Sequence, residues 1–316
     1  MDTTTNVLSI LFNFYLLYLI KFYSTFGVKL YQYLLTADAF LDLCLAIATF
    51  LAQPIPLTGN GYFVYMSNGF FADRSATIDS LLIIIFCFFM HTNILWIPIQ
   101  FVYRYRLLCK EKVGSAYANV SIITVSLLYS IISLAIIMDF FRVTDLQAEG
   151  QHVLELNQWP AEAAKRKFLV VHQVTNWRTI LCIAHWTFTC TASIFIVIWC
   201  EKRIAHEIGQ PTHSATRKMH KEFHRALLAM AICPLFTTSF PVFYFCITIA
   251  LQLCPGQISV LMAIVLTSIT VFNPLTTIIC FRCYRQVTAR LLCCDLGCMK
   301  KPEINPGFET TLVATT

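Results

Sequence analysis

The chain has 316 residues, 57% of them hydrophobic and only 13% charged, with a mean hydropathy of +0.66. A soluble protein of this length could not hide so much apolar surface, so the bilayer must solvate most of it. The net charge of +6 is spread over short loops rather than gathered in one basic patch, which argues against nucleic acid as a partner.

Seven apolar stretches follow one another at 3–20, 31–53, 78–101, 118–140, 179–200, 226–251 and 258–281. Each is close to the ~20 residues a helix needs to cross the hydrocarbon core. The sequence therefore predicts an all-α membrane protein. Its seven-transmembrane-helix bundle, with a short amphipathic helix after the seventh span, fills residues 1–292 and leaves a tail at 293–316.

The first stretch is uncharged between Asp2 and Lys21 and carries Asn13. A signal peptide is the alternative, but its basic leading segment is missing and no small-residue cleavage site follows. The stretch begins almost at Met1, as expected of a chain lacking some amino-terminal residues. The second stretch holds Asp38 and Asp42, four residues apart and so on one helical face. An ionised Asp at a helix centre costs about 2.5–3.5 kcal/mol on insertion scales, so it is expected to face the bundle with a partner. Asn13 and Asn273, from the seventh stretch, are candidate partners. Asp42, Asn13 and Asn273 would form an inward polar cluster able to bind water or a cation; helix–helix hydrogen bonding alone is the alternative. Asp38, nearer the chain's expected inner side, could be solvated there.

The next connection is rich in turn formers: Pro54, Pro56 and Thr58-Gly59-Asn60-Gly61. The third stretch carries His91, Thr92 and Asn93 at mid-depth, and the fifth carries His185. Polar groups at that depth often face a cavity, which makes His91, Asn93 and His185 candidate ligand contacts; satisfied interhelical hydrogen bonds are the alternative. Neither 54–77 nor 141–178 contains Cys, so no disulfide can tie these connections together. The 141–178 loop must be held by packing or remain mobile, and a helix from near Pro160 to Val171 is expected in it. Pro234 and Pro241 predict bends in the sixth stretch, whose leading end is basic at His220, Lys221 and Arg225.

After the seventh stretch, Phe281, Tyr284, Val287, Leu291 and Leu292 share one helical face and Arg282, Arg285 and Arg290 the other. This is the pattern of an interfacial helix attracted to anionic lipid. Cys293, Cys294 and Cys298 follow it as candidate palmitoylation sites, with unmodified thiols as the alternative. Most other cysteines lie in apolar runs and read as small hydrophobes. No Cys/His spacing suggests a metal, and no cofactor is expected.

Basic residues set the direction of the bundle. Segments 21–30, 102–117, 201–225 and 282–316 hold 2, 4, 6 and 5 Lys or Arg, 17 in all, against 6 in the intervening connections. The positive-inside rule then places the amino terminus outside and the carboxyl terminus inside.

Three motifs carry a family likeness. Phe101-Val102-Tyr103-Arg104-Tyr105 ends the third stretch, Thr216-Arg217-Lys218-Met219-His220-Lys221-Glu222-Phe223 leads into the sixth, and Asn273-Pro274-Leu275-Thr276-Thr277 with Tyr284-Arg285 ends the seventh. In this order the chain, from about Asn13 to Arg290, resembles the nematode serpentine chemoreceptors, the class called delta most closely. The resemblance implies a G-protein-coupled chemosensory receptor for a small-molecule or pheromone ligand. It also implies a heterotrimeric G-protein partner and a plasma-membrane location, with the cilium of a sensory neuron as one expected site. Arg104, with Tyr103, Tyr105, Lys221 and Arg225, would couple to the G protein. Tyr103 stands where rhodopsin-like receptors carry an acid, so the inactive-state ion pair cannot form there. Thr277 stands where the seventh-span tyrosine is usual. Phe86 occupies the position at which amine receptors carry an aspartate, which makes it a fourth candidate ligand contact and disfavours simple amines, and the seventh stretch has no Lys for a retinal Schiff base.

A transporter or ligand-gated channel is the competing class. An odd number of spans, no internal repeat and few intramembrane charges argue against it. An enzyme is not expected, because no Ser/His/Asp set, metal motif or glycine-rich phosphate loop appears.

Overall fold

Within a bilayer every backbone N–H and C=O must find a partner in the chain, and a helix meets that demand locally. The computed structural model describes residues 3–24, 32–72, 74–109, 116–141, 146–159, 169–209, 228–229, 232, 235–254 and 256–292. Its apolar helices are α1 (Thr3–Tyr23), α2 (Gln32–Ala52), α3 (Ala76–Cys109) and α4 (Ala116–Phe140). A short helix, α5 (Gln147–Leu156), precedes the long α6 (Trp177–Gly209). A π-helical turn, Leu235–Ser239, then leads into α7 (Phe240–Ala250), followed by α8 (Gln257–Thr267), α9 (Ile269–Cys280) and α10 (Arg282–Leu292).

Among the described residues, five segments are long and apolar enough to cross a membrane: Thr4–Tyr23, Gln32–Ala52, Ala76–Tyr103, Trp177–His206 and Gln257–Cys280. Two shorter apolar segments, Thr124–Phe140 and Leu235–Ala250, fall where the fourth and sixth stretches were expected. The seventh is one span in two pieces, α8 and α9, joined at Ser268, whose hydroxyl donates to the Val265 carbonyl at 2.6 Å. Pro241 sits at the start of α7, just after the π-helical turn, where a missing N–H costs least. Pro234 and residues 160–168 lie outside the described residues.

α3 is the axle of the bundle, packed along α6, α2 and α4, while α1 packs on α2 and α9. The main core joins Ile83, Cys87 and Ile94 of α3 to Cys190 of α6 and Leu45 of α2. Tyr284 of α10 is fully buried against α1, and its hydroxyl meets Ser24 Oγ at 2.9 Å. Arg282, Arg285 and Arg290 are exposed on the other side of α10.

The all-α expectation needs correction at one end of the bundle. A three-stranded antiparallel sheet lies there in the order β1 (Pro54–Gly59), β2 (Tyr62–Ser67) and β3 (Val170–Gln173). Asn60 (φ 49°) and Gly61 (φ 78°) form the two-residue turn. Both take the left-handed conformation that a type I′ hairpin requires and that Asn-Gly accepts readily. Pairing Gly59 with Tyr62 next to such a turn makes every second pair beyond it a hydrogen-bonded one. Pro56 and Pro54 then fall opposite Tyr65 and Ser67 at non-hydrogen-bonded positions on an edge strand, where a missing N–H breaks no ladder bond.

The expected helix running to Val171 is also corrected, because Val170 and Val171 belong to β3. β2 would otherwise bury an unpaired edge, and backbone groups away from water must be paired. β-branched valines suit that strand. Among the described residues of this connection the helix is α5, which the sequence reading did not foresee. It lies on the sheet through Val153 and Leu154, against Ile55, Leu57, Val64 and Met66. A Cβ on Gly150 would come within 2.5 Å of Val171 Cγ2, so only glycine permits this approach. Strand alternation turns Phe63, Tyr65, Val170 and His172 toward the helices.

Candidate functional site: a cavity beneath a strand lid

The face of the sheet turned toward the helices roofs a cavity of about 60 Å³. Phe63 and Tyr65 of β2 line it from above, Phe140 and Phe141 from the end of α4, and Cys182, Ile183 and Trp186 from α6. Val242, Phe245, Cys246 and Ile249 of α7, Met90 of α3 and Leu266 of α8 complete the wall. None of these side chains is charged.

Aromatic contacts hold the roof in register. Phe63 and Tyr65 meet edge to face at 4.9 Å, Tyr65 meets Phe141 in the same way at 4.9 Å, and Phe63 stacks on Phe140 at 6.2 Å. His172 of β3 also stacks on Phe140, at 4.2 Å. Burial, with the Arg178 guanidinium nearby, lowers the His172 pKa to about 4, so the ring is neutral at physiological pH. Arg178 itself pairs with Asp139 at 3.2 Å.

Hydrogen bonds do the work a disulfide would otherwise do. The buried Asn157, just past α5, donates to the Thr58 carbonyl at 3.0 Å and the Val153 carbonyl at 2.9 Å, and accepts from the Gly256 N–H at 2.8 Å. Thr58 Oγ1 donates to the Leu253 carbonyl at 2.7 Å. One side chain thus ties the hairpin and α5 to the connection between α7 and α8. Gln147 pairs with both backbone groups of Leu169, at 2.7 and 2.8 Å, as a neighbouring strand would.

The four residues singled out for ligand contact lie elsewhere. Phe86 is packed in the core, and Asn93 donates to the Phe89 carbonyl at 3.3 Å within its own helix. His91 and His185 stack at 4.8 Å and both reach the Ser133 hydroxyl, at 2.9 and 3.0 Å, joining α3, α4 and α6. Tyr129 continues this network to Thr189 at 2.6 Å. None of the four lines the cavity; Met90, the residue before His91, does.

Of the polar cluster, two members touch: Asn273 Nδ2 donates to Asp42 Oδ1 at 3.2 Å, both residues being buried. Asn13 joins them through the backbone, donating to the Thr270 carbonyl at 2.9 Å, one turn from Asn273. Asp38 accepts from Gln100 Nε2 at 2.6 Å, where solvation had been one reading.

At the other end of α3 stand Tyr103 and Tyr105, half-buried, with Tyr105 edge-on to Trp199 at 5.1 Å. Arg104 lies between them on the helix, fourteen residues and therefore about 21 Å along the axis from Met90. Its side chain lies outside the described residues, as do Lys221, Arg225, Cys293, Cys294 and Cys298.

Residues 2–290 match the model of the serpentine-type seven-transmembrane G-protein-coupled chemoreceptors, Srd. The chain belongs to the Srd family. Its fold is similar to the crystal structure of squid rhodopsin, with a TM-score of 0.59 at 12% identity, covering 95% of this chain and 85% of that one. Among curated proteins no sequence matches. The Srd chain is therefore a multi-pass, mostly helical membrane protein of a chemoreceptor family rather than an enzyme family. Its strand lid was missed in the sequence although Asn60-Gly61, between Ile55-Pro56-Leu57 and Phe63-Val64-Tyr65-Met66, carried a hairpin signal.

Proposed function

We propose that this Srd chain is a chemosensory receptor that binds a small molecule beneath the strand lid and activates a heterotrimeric G protein. The observation that carries the reading is the uncharged cavity that lies between the lid and α3, α6 and α7, in a chain of this family. The amino terminus and the lid face outward, as the 17-to-6 division of basic residues requires. The bundle resides in the plasma membrane, including that of a sensory cilium. A ligand that prefers one arrangement of α7 over another shifts the population toward the state that admits the G protein. Arg104, flanked by Tyr103 and Tyr105 and aided by Lys221 and Arg225, makes the inner contact. The Asp42–Asn273 pair and Asn13, with the water or cation they can hold, tie α1, α2 and α9 together during that change. Acylated Cys293, Cys294 and Cys298 hold α10 against the bilayer. Arg104→Ala should abolish agonist-driven nucleotide exchange while surface expression persists; undiminished exchange in that variant would falsify the assignment.

A further inference from the structure

Arg104 has no acid near it on its own helix. Tyr103, Tyr105 and Arg106 flank it, and the one acidic residue in the sequence of α3 is Asp79, at the far end. A guanidinium stays charged at any physiological pH. A charge beside the hydrocarbon is expected to be answered from a neighbouring helix. α2 carries an acid in the right place. Asp38 lies six residues past Gln32, about 9 Å from the inner end of α2, and is half-buried. Its Oδ1 accepts from Nε2 of the buried Gln100 of α3 at 2.6 Å. Arg104 follows Gln100 by four residues, so the two positions share one face of α3, about 6 Å apart along the axis.

Helical side chains lean toward the amino-terminal turn. For position 104 that turn is the one bearing Gln100, to which Asp38 is already bound. A neutral amide orients a carboxylate, whereas a guanidinium also answers its charge. The demand on α2 is greater because Asp42 stands one turn from Asp38 on the same face, where it meets another neutral amide, that of Asn273, at 3.2 Å. Glu201 is the rival acid, since α6 packs through Val197 and Cys200 on Ile97 and Phe101 of α3. It follows the fifth apolar stretch, toward the inner water, where solvation lessens the need for a partner. Asp38 lies inside its stretch. Given the reading above that Arg104 makes the inner contact, we propose that Asp38 is a positioning residue. In the resting receptor its carboxylate pairs with Arg104 across α2 and α3, and this pair opens when the G protein is engaged.

Thermal melting of the full chain in nanodiscs and nucleotide exchange without agonist test this together. Asp38→Asn and Arg104→Gln each leave the opposite charge unpaired and should lower the melting temperature by about 2–4 °C. The double variant leaves neither charge and should melt above both single variants. Asp38→Asn should also raise agonist-free exchange about five- to tenfold. Asp38→Glu, which restores the charge, should return exchange toward the native rate, a rescue that a packing role would not produce. Additive melting losses would overturn the proposal. So would the same recovery with Glu201→Gln in place of Asp38→Asn, or unchanged agonist-free exchange in Asp38→Asn. Melting needs no G protein, so the two readings fail separately. A double variant that recovers, in a chain that drives no exchange under any agonist, keeps the Asp38–Arg104 pair and removes the receptor. Additive losses in a chain whose exchange is abolished by Arg104→Ala do the reverse.

Discussion

The lid and the seam between α1, α2 and α9 both bury polar groups, but they leave them in different states. In the lid, Asn157 and Gln147 use both ends of their amides on backbone partners. In the seam, Asn273 and Asn13 each spend the amide nitrogen while their Oδ1 atoms stay buried without a partner among the described residues. Asn6 Nδ2 and Ser9 Oγ, further along the same face of α1, are in the same condition. A fully satisfied network rigidifies; a partly satisfied one needs water or a second arrangement. The Asn157 and Gln147 networks thus hold the hairpin, α5 and Leu169 in one geometry, whereas the seam, like His172 Nε2 on β3, leaves buried groups unpaired among the described residues.

The largest expected effect breaks the lid. Asn157→Ala leaves the Thr58 carbonyl and the Gly256 N–H without their partner, at about 1–3 kcal/mol for each buried group. Thermal unfolding should fall accordingly, and hydrogen exchange should quicken first in the β1–β2 hairpin; unchanged exchange there would show that packing alone secures it.

Acid should do the same more gradually. His172 is neutral in the fold, with a pKa lowered from 6.5 to about 4, so the unfolded chain binds the extra proton between those values. Its contribution to stability is complete above about pH 6.5 and is lost as the pH falls toward 4, to a total of about 3 kcal/mol. Arg178 and Asp139 are the charges nearest the ring, and protonating Asp139 would add to the loss. β3 exchange followed across this window should steepen with acid in the native chain and stay level in His172→Phe.

In the seam, substitutions separate pairing from charge. Asp42→Leu leaves the Asn273 amide unpaired in the apolar interior and should cost about 1–3 kcal/mol. Asp42→Asn keeps an acceptor oxygen at the same place and should cost less than about 1 kcal/mol. Equal melting losses in the two variants would mean that the carboxylate itself, not its hydrogen bond, holds the helices.

How much could be read from the chain differs between these regions for the same physical reason. Asp42 was expected to seek Asn273, because an acid in hydrocarbon demands a partner and few residues can supply one. Asn13 was expected in direct contact and instead reaches a carbonyl, since any backbone oxygen serves an amide equally well. The cavity was not legible. Met90, Val242 and Phe245 are the same residue types as their neighbours in the packed core, and emptiness is a relation among helices rather than a property of a side chain. His91 and His185 drew notice as polar residues at mid-depth, yet both meet the Ser133 hydroxyl of α4 instead of the cavity.

Seven crossings, their order and the amphipathic helix after them were determined by the chain itself, because length and hydropathy act on each segment alone in the bilayer. The strand lid and the space under it were decided only by tertiary structure. β3 pairs with an edge more than a hundred residues earlier, and only that pairing turns Phe63 and Tyr65 down over Trp186.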